Sequence, residues 1–307
     1  MIYLLLAILC SSSIALIFKY SEGAKMNRFA VTSANYFTAL IISFIMILIN
    51  SSRKIEGLNI SITSFIKEFT NILLKNNGYL SKDASFMWAV LLGIFGGVFF
   101  FLSFIYYQKS VKENGASLSG TFGKLGILVP MIFSIFVWKE IPKTFQWVGI
   151  FIALFSIVYA NISYDENRKK SINLTLILLF IFGGMSEFEN KLFQKYALIE
   201  YKDIFLFVIF ITAFLLSLYF VIKSNKKIMK KDLLIGFYVG IPNLFSSYFL
   251  IMALSSIKAS IAFPVYSAGS IIVISAGEVL LYKEKLSKRN KIAIMFVIVA
   301  LILINIA

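Results

Sequence analysis

Two carboxylates stand out because they follow a run that is apolar enough for the interior of a membrane. The run "LTLILLFIF" leads directly into "GGMSEFENKLFQK", residues 183–195, which carries Glu187 and Glu189. An ionised side chain near the centre of a bilayer costs roughly 2.5 kcal/mol or more, so such residues usually serve a function. We predict that one carboxylate binds a cationic group of a substrate or a coupling proton, with Asn190 beside it. The alternative is a structural pair between Glu187 and Lys191, four residues apart on one helix face.

A lysine in another apolar segment provides the opposite charge. Lys124 lies in "GTFGKLGIL", where Gly120, Gly123 and Gly126 permit close approach of neighbouring helices. The motif is not a phosphate-binding loop, because the spacing differs and no Ser or Thr follows the lysine. Lys124 is therefore expected to face inward, either as a counter-ion for the glutamates or as a ligand for an anionic group of the substrate. If the acids and the lysine line one cavity, a zwitterion such as an amino acid is a suitable cargo.

Neutral polar side chains in other apolar segments complete the candidate substrate site. Each of them also fits a simpler role, since polar side chains in membrane helices often form hydrogen bonds between helices. The candidates are Asn35, Tyr36, Tyr106, Asn243, Ser246, Ser247, Tyr266 and Ser270. Three acids near segment ends have structural interpretations instead. Glu278 suits an interfacial salt bridge, whereas Glu140 and Glu284 suit pairs with loop lysines or caps on neighbouring helices.

Several kinds of chemistry are excluded by residue counts. The sequence has no histidine and one cysteine, Cys10, which excludes imidazole-dependent catalysis, the usual soft-metal sites and an internal disulfide. We predict no metal and no cofactor. The net charge of +15 comes from short basic clusters between apolar runs, not from one basic face, and this argues against a nucleic-acid partner.

The elements that must position these residues are membrane-spanning helices. The chain has 307 residues, of which 59% are hydrophobic, against roughly 45–50% in soluble domains. Apolar segments of about 20 residues bounded by charge predict ten transmembrane helices, and their all-round apolar character excludes the strands of a barrel. The predicted class is an all-α polytopic membrane protein. The predicted spans are 2–20, 29–50, 86–107, 115–138, 144–162, 172–195, 203–222, 233–256, 260–282 and 290–306.

The ten segments contain an internal repeat. The stretch "WKEIPKTFQWVGIF" aligns with "YKEKLSKRNKIAIM", so that Glu140 matches Glu284 at an offset of 144 residues (284 less 140). In the first helices of the two halves, Lys19 matches Lys195 at an offset of 176 (195 less 19). The difference of 32 between these offsets indicates an insertion in the first half, over residues 51–84.

The repeat divides the chain into two units of five helices, residues 1–162 and 163–307. An odd number of spans per unit places the second unit upside down relative to the first, as in many secondary transporters. The offset of 176 aligns Glu187 in the sequence with Ser11, which lies near the middle of the first span. The insertion at 51–84 has apolar residues at helical spacing, which predicts a short amphipathic helix at the membrane interface.

The repeat also carries motifs of a known transporter group. Each unit has a Lys-Glu pair after its fourth helix ("WKE", "YKE") and a small-residue stretch entering that helix, such as "NGASLSGTFGKLGILVP". This pattern resembles the EamA-type branch of the drug/metabolite transporter superfamily over nearly the whole chain. Members of that branch move amino acids, nucleotide sugars, organic cations, choline and lipid-linked sugars, so the resemblance implies transport and leaves the cargo open.

The resemblance and the candidate residues together predict a secondary-active carrier of a small polar metabolite. No nucleotide-binding motif is present, so an ion gradient or exchange would drive alternating access of the two units. The alternative is a flippase for a lipid-linked head group, which needs a cavity open sideways to lipid. An enzyme is disfavoured because the usual acid and base residues are missing. We expect a multi-pass protein of a bacterial inner or plasma membrane, monomeric or homodimeric, whose partners are its substrate and the lipid bilayer.

Overall fold

The computed structural model describes residues 1–24, 26–50, 57–75, 78–114, 122–161, 174–224, 227–283 and 288–306. Over these ranges the protein is helical, with a single 3₁₀ turn at Ile199–Tyr201 and no β-strand. The α-helices are α1 (Ile2–Gly23), α2 (Arg28–Asn50), α3 (Ile62–Lys75), α4 (Lys82–Asn114), α5 (Leu128–Phe136), α6 (Thr144–Asn161), α7 (Leu174–Tyr196), α8 (Lys202–Ser224), α9 (Lys230–Leu254), α10 (Ala259–Tyr282) and α11 (Lys288–Ile306).

All of these helices except α3 correspond to predicted spans, which confirms an all-α polytopic membrane protein. Six are long and apolar enough to cross a membrane, namely α1, α2, α4, α8, α9 and α10. Shorter apolar helices correspond to α5, α6 and α11. The remaining one, α7, is less uniformly apolar because Glu187, Glu189 and Lys191 lie in its C-terminal half.

The fourth span differs most from its prediction. A helical turn over residues 122–125 is followed by a non-helical turn at 126–127 and then by α5, whereas residues 115–121 of the predicted span lie outside the described ranges. Gly126 lies so close to Gly184 of α7 that a Cβ on either residue would clash with the backbone of the other. Because neither residue has a side chain, the two backbones can approach closely at this point.

Helix packing follows the same plan in the two halves of the chain. The contact of α1 with α9 corresponds to that of α7 with α4, and the contact of α2 with α9 corresponds to that of α8 with α4. Likewise α1 packs on α10 as α7 packs on α5, while α6 pairs with its own counterpart α11. These pairings follow the two sequence offsets. The domain boundary at residues 162–163 stays a prediction, because residues 162–173 lie outside the described ranges.

The amphipathic helix predicted in the insertion is confirmed as α3. Its residues Phe65 and Ile72 are buried and belong to an aromatic cluster with Trp138 and Tyr196. The ring of Phe69 also contacts that of Tyr196, with 6.0 Å between ring centroids. The helix therefore covers one end of α7 instead of extending away from the bundle.

Candidate functional site

Glu187 of α7 lies near Lys124 of the fourth span, the span that is interrupted at residues 126–127. Both side chains are half-buried, and they attract each other electrostatically. The close approach of Gly126 and Gly184 brings the two segments together beside this pair. The structure thus places an acid and a base from different segments in one region, as the sequence predicted, although their binding roles stay predictions.

A group of hydroxyls from three other helices surrounds the same region. Tyr266 of α10 lies near enough to Glu187 for the carboxylate charge to act on it. The Tyr266 hydroxyl is 2.9 Å from Ser246 Oγ of α9. The Ser11 side chain of α1 also lies close to the Tyr266 hydroxyl. Charged and neutral polar groups from five segments therefore converge at one place, which we call the central polar group: Glu187, Lys124, Tyr266, Ser246 and Ser11.

The second acid, Glu189, lies on another side of α7. One percent of its surface is exposed, and neither carboxylate oxygen has a hydrogen-bond partner among the described residues. Its neighbours are Gly96 of α4 and Ile209 of α8. The two glutamates therefore face different sides of α7, as their spacing of two residues predicts, and they do not line one site together with Lys124. Asn190 is also buried; it lies next to Glu187, and its amide makes no hydrogen bond of normal geometry with the described residues.

Lys191 does not pair with Glu187, so the proposed intrahelical pair is wrong. Its Nζ lies 2.8 Å from Oε1 of Glu140, in the segment between α5 and α6. Lys191 Nζ also lies 5.5 Å from the centre of the Trp138 ring. The backbone N–H of Ala259 at the start of α10 donates to Glu140 Oε2 at 2.6 Å. The predicted cap on a neighbouring helix is thus confirmed for Glu140, but its lysine partner is in a helix and not in a loop.

A second ion pair connects α1 with α10. Lys19 Nζ lies 2.8 Å from Glu278 Oε1, which confirms the salt bridge predicted for Glu278. Both of these side chains are more exposed than those of Lys191 and Glu140. The acid that corresponds to Glu140 in the second half, Glu284, lies outside the described residues.

The other predicted polar residues have mainly structural contacts. The Asn243 side-chain amide donates to Asn35 Oδ1 at 3.0 Å, which joins α9 to α2. The Tyr36 hydroxyl donates to the Phe100 carbonyl oxygen at 3.3 Å, which joins α2 to α4. These three candidates thus form the hydrogen bonds between helices that the sequence analysis gave as their simpler role.

Three further candidates differ in their distance from the central polar group. Ser270 lies one turn from Tyr266 and donates to its carbonyl oxygen at 2.7 Å. The Tyr106 ring contacts that of Phe182 on α7 at a centroid distance of 5.1 Å. Ser247 is buried on α9, next in sequence to Ser246. Of the neutral candidates, Tyr266 is the one with the clearest link to the charged pair.

One member of the central polar group, Ser11, was absent from the sequence-based candidates. It is a serine in an apolar helix, and this residue type is common in helix contacts. A signal for Ser11 was present, since the offset of 176 aligns it with Glu187. Aligned positions in two similarly packed halves are expected to face the same axis. No comparable signal singles out Ser246 from its neighbour Ser247.

Two cavities lie at other places on the helix bundle. One, of about 580 Å³, lies between α1, α9 and α10 and has mostly apolar walls, including Ser13, Leu16, Tyr20 and Tyr282. The other, of about 400 Å³, is polar and lies at the end of the bundle where Glu140 and Lys191 meet. The first opens between helices that a membrane would surround, and the second opens at a helix end.

Comparisons with known proteins give a consistent result. The model of the EamA-like transporter family matches residues 1–162 and again residues 170–306. The chain is also similar in fold to a solved crystal structure titled "Crystal structure of protein", with a TM-score of 0.69 and 15% sequence identity between the two chains. The match covers 99% of this chain and 96% of the other. At this identity the likeness concerns the fold alone. No curated protein matches the sequence.

Proposed function

Because the chain belongs to the EamA-like transporter family, a group of membrane transporters in the drug/metabolite superfamily, we propose that it is a secondary-active carrier of a small polar metabolite. The cargo we favour is an amino acid or a related organic cation. Alternating access of the two halves would move it across the bilayer. Proteins of this family are transporters and not enzymes, and we infer the same of this chain.

The observation that carries this proposal is that Glu187, Lys124 and the Tyr266 hydroxyl lie near one another. An acid and a base that lie apart without a direct ion pair can each accept one charged group of a zwitterion. A substrate ammonium would bind the Glu187 carboxylate, and a substrate carboxylate would bind the Lys124 ammonium. The Tyr266 and Ser246 hydroxyls would orient the polar groups between them. Such charges within a membrane bundle typically mark substrate or ion pathways.

An ion gradient is the proposed energy source, with the proton as the ion that we favour. The sequence has no nucleotide-binding motif, and the central polar group offers few oxygen ligands for a metal cation. The membrane is proposed to be a bacterial inner or plasma membrane, and the carrier to act as a monomer or homodimer.

The test is uptake by the purified protein in proteoliposomes. Amino acids, amines and sugars would be supplied with and without a pH gradient, with tritiated L-alanine and choline as the zwitterionic and cationic probes. We expect Glu187→Gln to reduce uptake of the accepted probe at least about tenfold, since one charge-assisted contact is lost. Glu200→Gln is the matched control, because Glu200 lies in the 3₁₀ turn between α7 and α8, away from the central polar group, and this variant should retain wild-type uptake. Unchanged uptake by Glu187→Gln would contradict the proposal.

A second candidate, a flippase for a lipid-linked head group, is favoured by the apolar cavity between α1, α9 and α10. Its volume of about 580 Å³ and its walls of Leu16, Tyr20 and Tyr282 would suit a lipid chain whose head group lies deeper in the bundle. The assay is the transfer of fluorescent lipids between leaflets of the same proteoliposomes. Lipid transfer without uptake of soluble probes would favour the flippase over the carrier.

A further inference from the structure

Glu189 is a buried acid that the central polar group does not use. Its two carboxylate oxygens are without a hydrogen-bond partner in the described part of the chain. It lies where α7 packs on α4, beside Gly96, and the side chain of Ile209 of α8 lies against the same glycine. A Cβ at position 96 would collide with the Glu189 carboxylate, so the glycine provides the space that the acid occupies.

Among the described residues, the charged group that acts on Glu189 is another acid. Glu187 lies two residues earlier on α7, and its negative charge disfavours a second one nearby. Lys124 faces Glu187 instead, and Lys191 is paired with Glu140. The charged residues of the neighbouring helices α4, α8 and α9 lie toward the ends of those helices.

An acid in these surroundings is suited to bind a proton and unsuited to bind a metal cation. A hard cation needs several oxygen ligands, and no cluster of three or more acidic, cysteine or histidine side chains exists in the described ranges. An unpaired carboxylate away from water is unfavourable and takes up a proton instead. We propose that Glu189 carries the coupling proton of the transport cycle, while Glu187 binds the substrate. This division of roles rests on the proposed function.

A proton carrier must also change its surroundings between the states of the cycle, and the packing plan of the two halves indicates how. The offset of 176 aligns Glu189 with Ser13 and Tyr196 with Tyr20. Ser13 and Tyr20 are exposed and line the cavity between α1, α9 and α10, whereas Glu189 and Tyr196 are buried. If the two halves exchange their conformations, Glu189 takes the exposed position that Ser13 has here. Glu189 is then sealed between helices in one state and borders a cavity in the other, and such a change of surroundings allows a proton to be bound and released.

Proton binding can be tested without any substrate. The full-length protein in liposomes would be titrated from about pH 5 to about pH 9, a range that brackets the release of a proton from a buried acid. Infrared spectroscopy would follow the carbonyl band of protonated carboxyl groups. We expect Glu189→Gln to remove a band that wild type shows at neutral pH and that Glu200→Gln retains. Identical wild-type and Glu189→Gln spectra at neutral pH would overturn the proposal, because Glu189 would then be ionised.

Coupling is tested by two transport measurements on the same proteoliposomes. One is accumulation of tritiated L-alanine or choline driven by a pH gradient, and the other is exchange of the same probe at equal pH on both sides. We expect Glu189→Gln to lose accumulation at least about tenfold but to retain exchange within about threefold, because its substrate contacts are intact. Glu187→Gln should lose both activities. Glu189→Asp, which retains a titratable group, should recover part of the accumulation.

The outcomes separate this inference from the proposed function. If wild type transports a probe and Glu189→Gln accumulates it normally, the proton role is wrong while the carrier proposal stands. If a sodium gradient, not a pH gradient, drives accumulation, Glu189 is not the coupling group proposed here. If wild type transports neither probe while Glu189 still shows its protonated band, the carrier proposal fails for these cargo classes and the buried acid remains a proton site.

Discussion

Glu187 and Glu189 are two residues apart on α7, and this spacing gives them different neighbours. Successive residues of an α-helix are rotated by about 100°, so the two carboxylates leave the helix in nearly opposite directions. Glu187 is directed toward Lys124 and Tyr266, whereas Glu189 is directed toward Gly96. One short stretch of sequence therefore supplies an acid to the central polar group and another to a separate helix contact.

Replacing Lys124 should change the preference of the carrier between charged cargoes. In Lys124→Gln the carboxylate of a zwitterion loses its positive partner, while a cation bound by Glu187 loses a repulsive neighbour. Since a hydrogen bond to a charged group contributes about 1.5–3 kcal/mol, uptake of L-alanine should fall about tenfold or more relative to that of choline. Competition between the two probes in proteoliposomes measures this ratio. Lys230→Gln, an exposed residue at the start of α9, is the control, and an equal loss for both probes would contradict the assignment.

The hydrogen bond between Asn35 and Asn243 is expected to stabilise the fold without contributing to transport. Hydrogen bonds between membrane helices contribute about 0.6 kcal/mol on average and up to about 2 kcal/mol. A double-mutant cycle with Asn35→Ala and Asn243→Ala should show a coupling energy of that size in the free energy of unfolding. Transport by the double variant should stay near wild type. A strong loss of uptake by either variant at unchanged stability would assign it to substrate binding instead.

The residues that sequence analysis predicted well are those whose type alone is unusual in a membrane. Glu187, Glu189 and Lys124 are conspicuous because a charge in an apolar helix is costly. Their partners are set by how helices pack, which helical spacing does not specify. For that reason Lys191 was assigned to Glu187 one turn away, whereas it pairs with Glu140 from another segment.

At the scale of helices, Glu140 links three elements that are distant in sequence. It follows α5, accepts the Lys191 ammonium of α7 and accepts the first backbone N–H of α10. A carboxylate at a helix N-terminus is stabilised by the helix dipole and by the unpaired N–H groups there. Lys191 and Glu140 have 4% and 15% of their side-chain surface exposed, so water screens their attraction poorly.

Breaking this pair on one side should destabilise the protein strongly. Removing one partner of a buried ion pair typically costs about 3–5 kcal/mol, because the other charge is left without compensation. We therefore expect Glu140→Gln and Lys191→Met each to lower the thermal unfolding temperature in detergent, followed by tryptophan fluorescence. The Lys191→Met/Glu140→Gln double variant should be more stable than the less stable single variant. Strict additivity of the two losses would show that the pair has no coupling.

The corresponding change in the more exposed pair provides the comparison. Lys19 and Glu278 have 34% and 24% of their side-chain surface exposed, so solvent screens their interaction. Exposed pairs contribute about 0–1 kcal/mol, and Glu278→Gln should lower the unfolding temperature much less than Glu140→Gln. A reversed order would mean that burial does not determine the strength of these contacts.

Elements with a strong periodic or apolar pattern were predicted close to their observed bounds, and the exceptions have physical causes. The insertion helix α3 was expected from its spacing, but its contact with Trp138 and Tyr196 depends on residues from distant segments. The break at residues 126–127 was not predicted, because glycines in a membrane helix usually mark close packing and not an interruption. Here both effects occur together, since Gly126 contacts Gly184.

At the scale of the whole molecule, the two ion pairs join corresponding helices of the two halves, although the offsets do not align their residues with one another. Lys19 of α1 pairs with Glu278 near the end of α10, and Lys191 of α7 pairs with Glu140 just after α5. The offsets relate α1 to α7 and α10 to α5, so each pair joins the first helix of one half to the fourth span of the other. If the halves are inverted, the two pairs lie near opposite surfaces of the membrane. The end of the bundle that holds the more buried pair, Lys191 and Glu140, is then the more tightly closed end.

Inversion of the halves can be measured by labelling single cysteines from one side of the membrane. Tyr20 lies near the end of the first helix of one half and Ile199 just after the first helix of the other, and both are exposed. In a Cys10→Ser background, Tyr20→Cys and Ile199→Cys should react with a membrane-impermeant maleimide from opposite sides, because five spans separate the two positions. Ile141→Cys, at the same end of the bundle as Ile199, should share its side. Labelling of Tyr20→Cys and Ile199→Cys from the same side would mean parallel halves, and the exchange of conformations proposed for Glu189 would then have no structural basis.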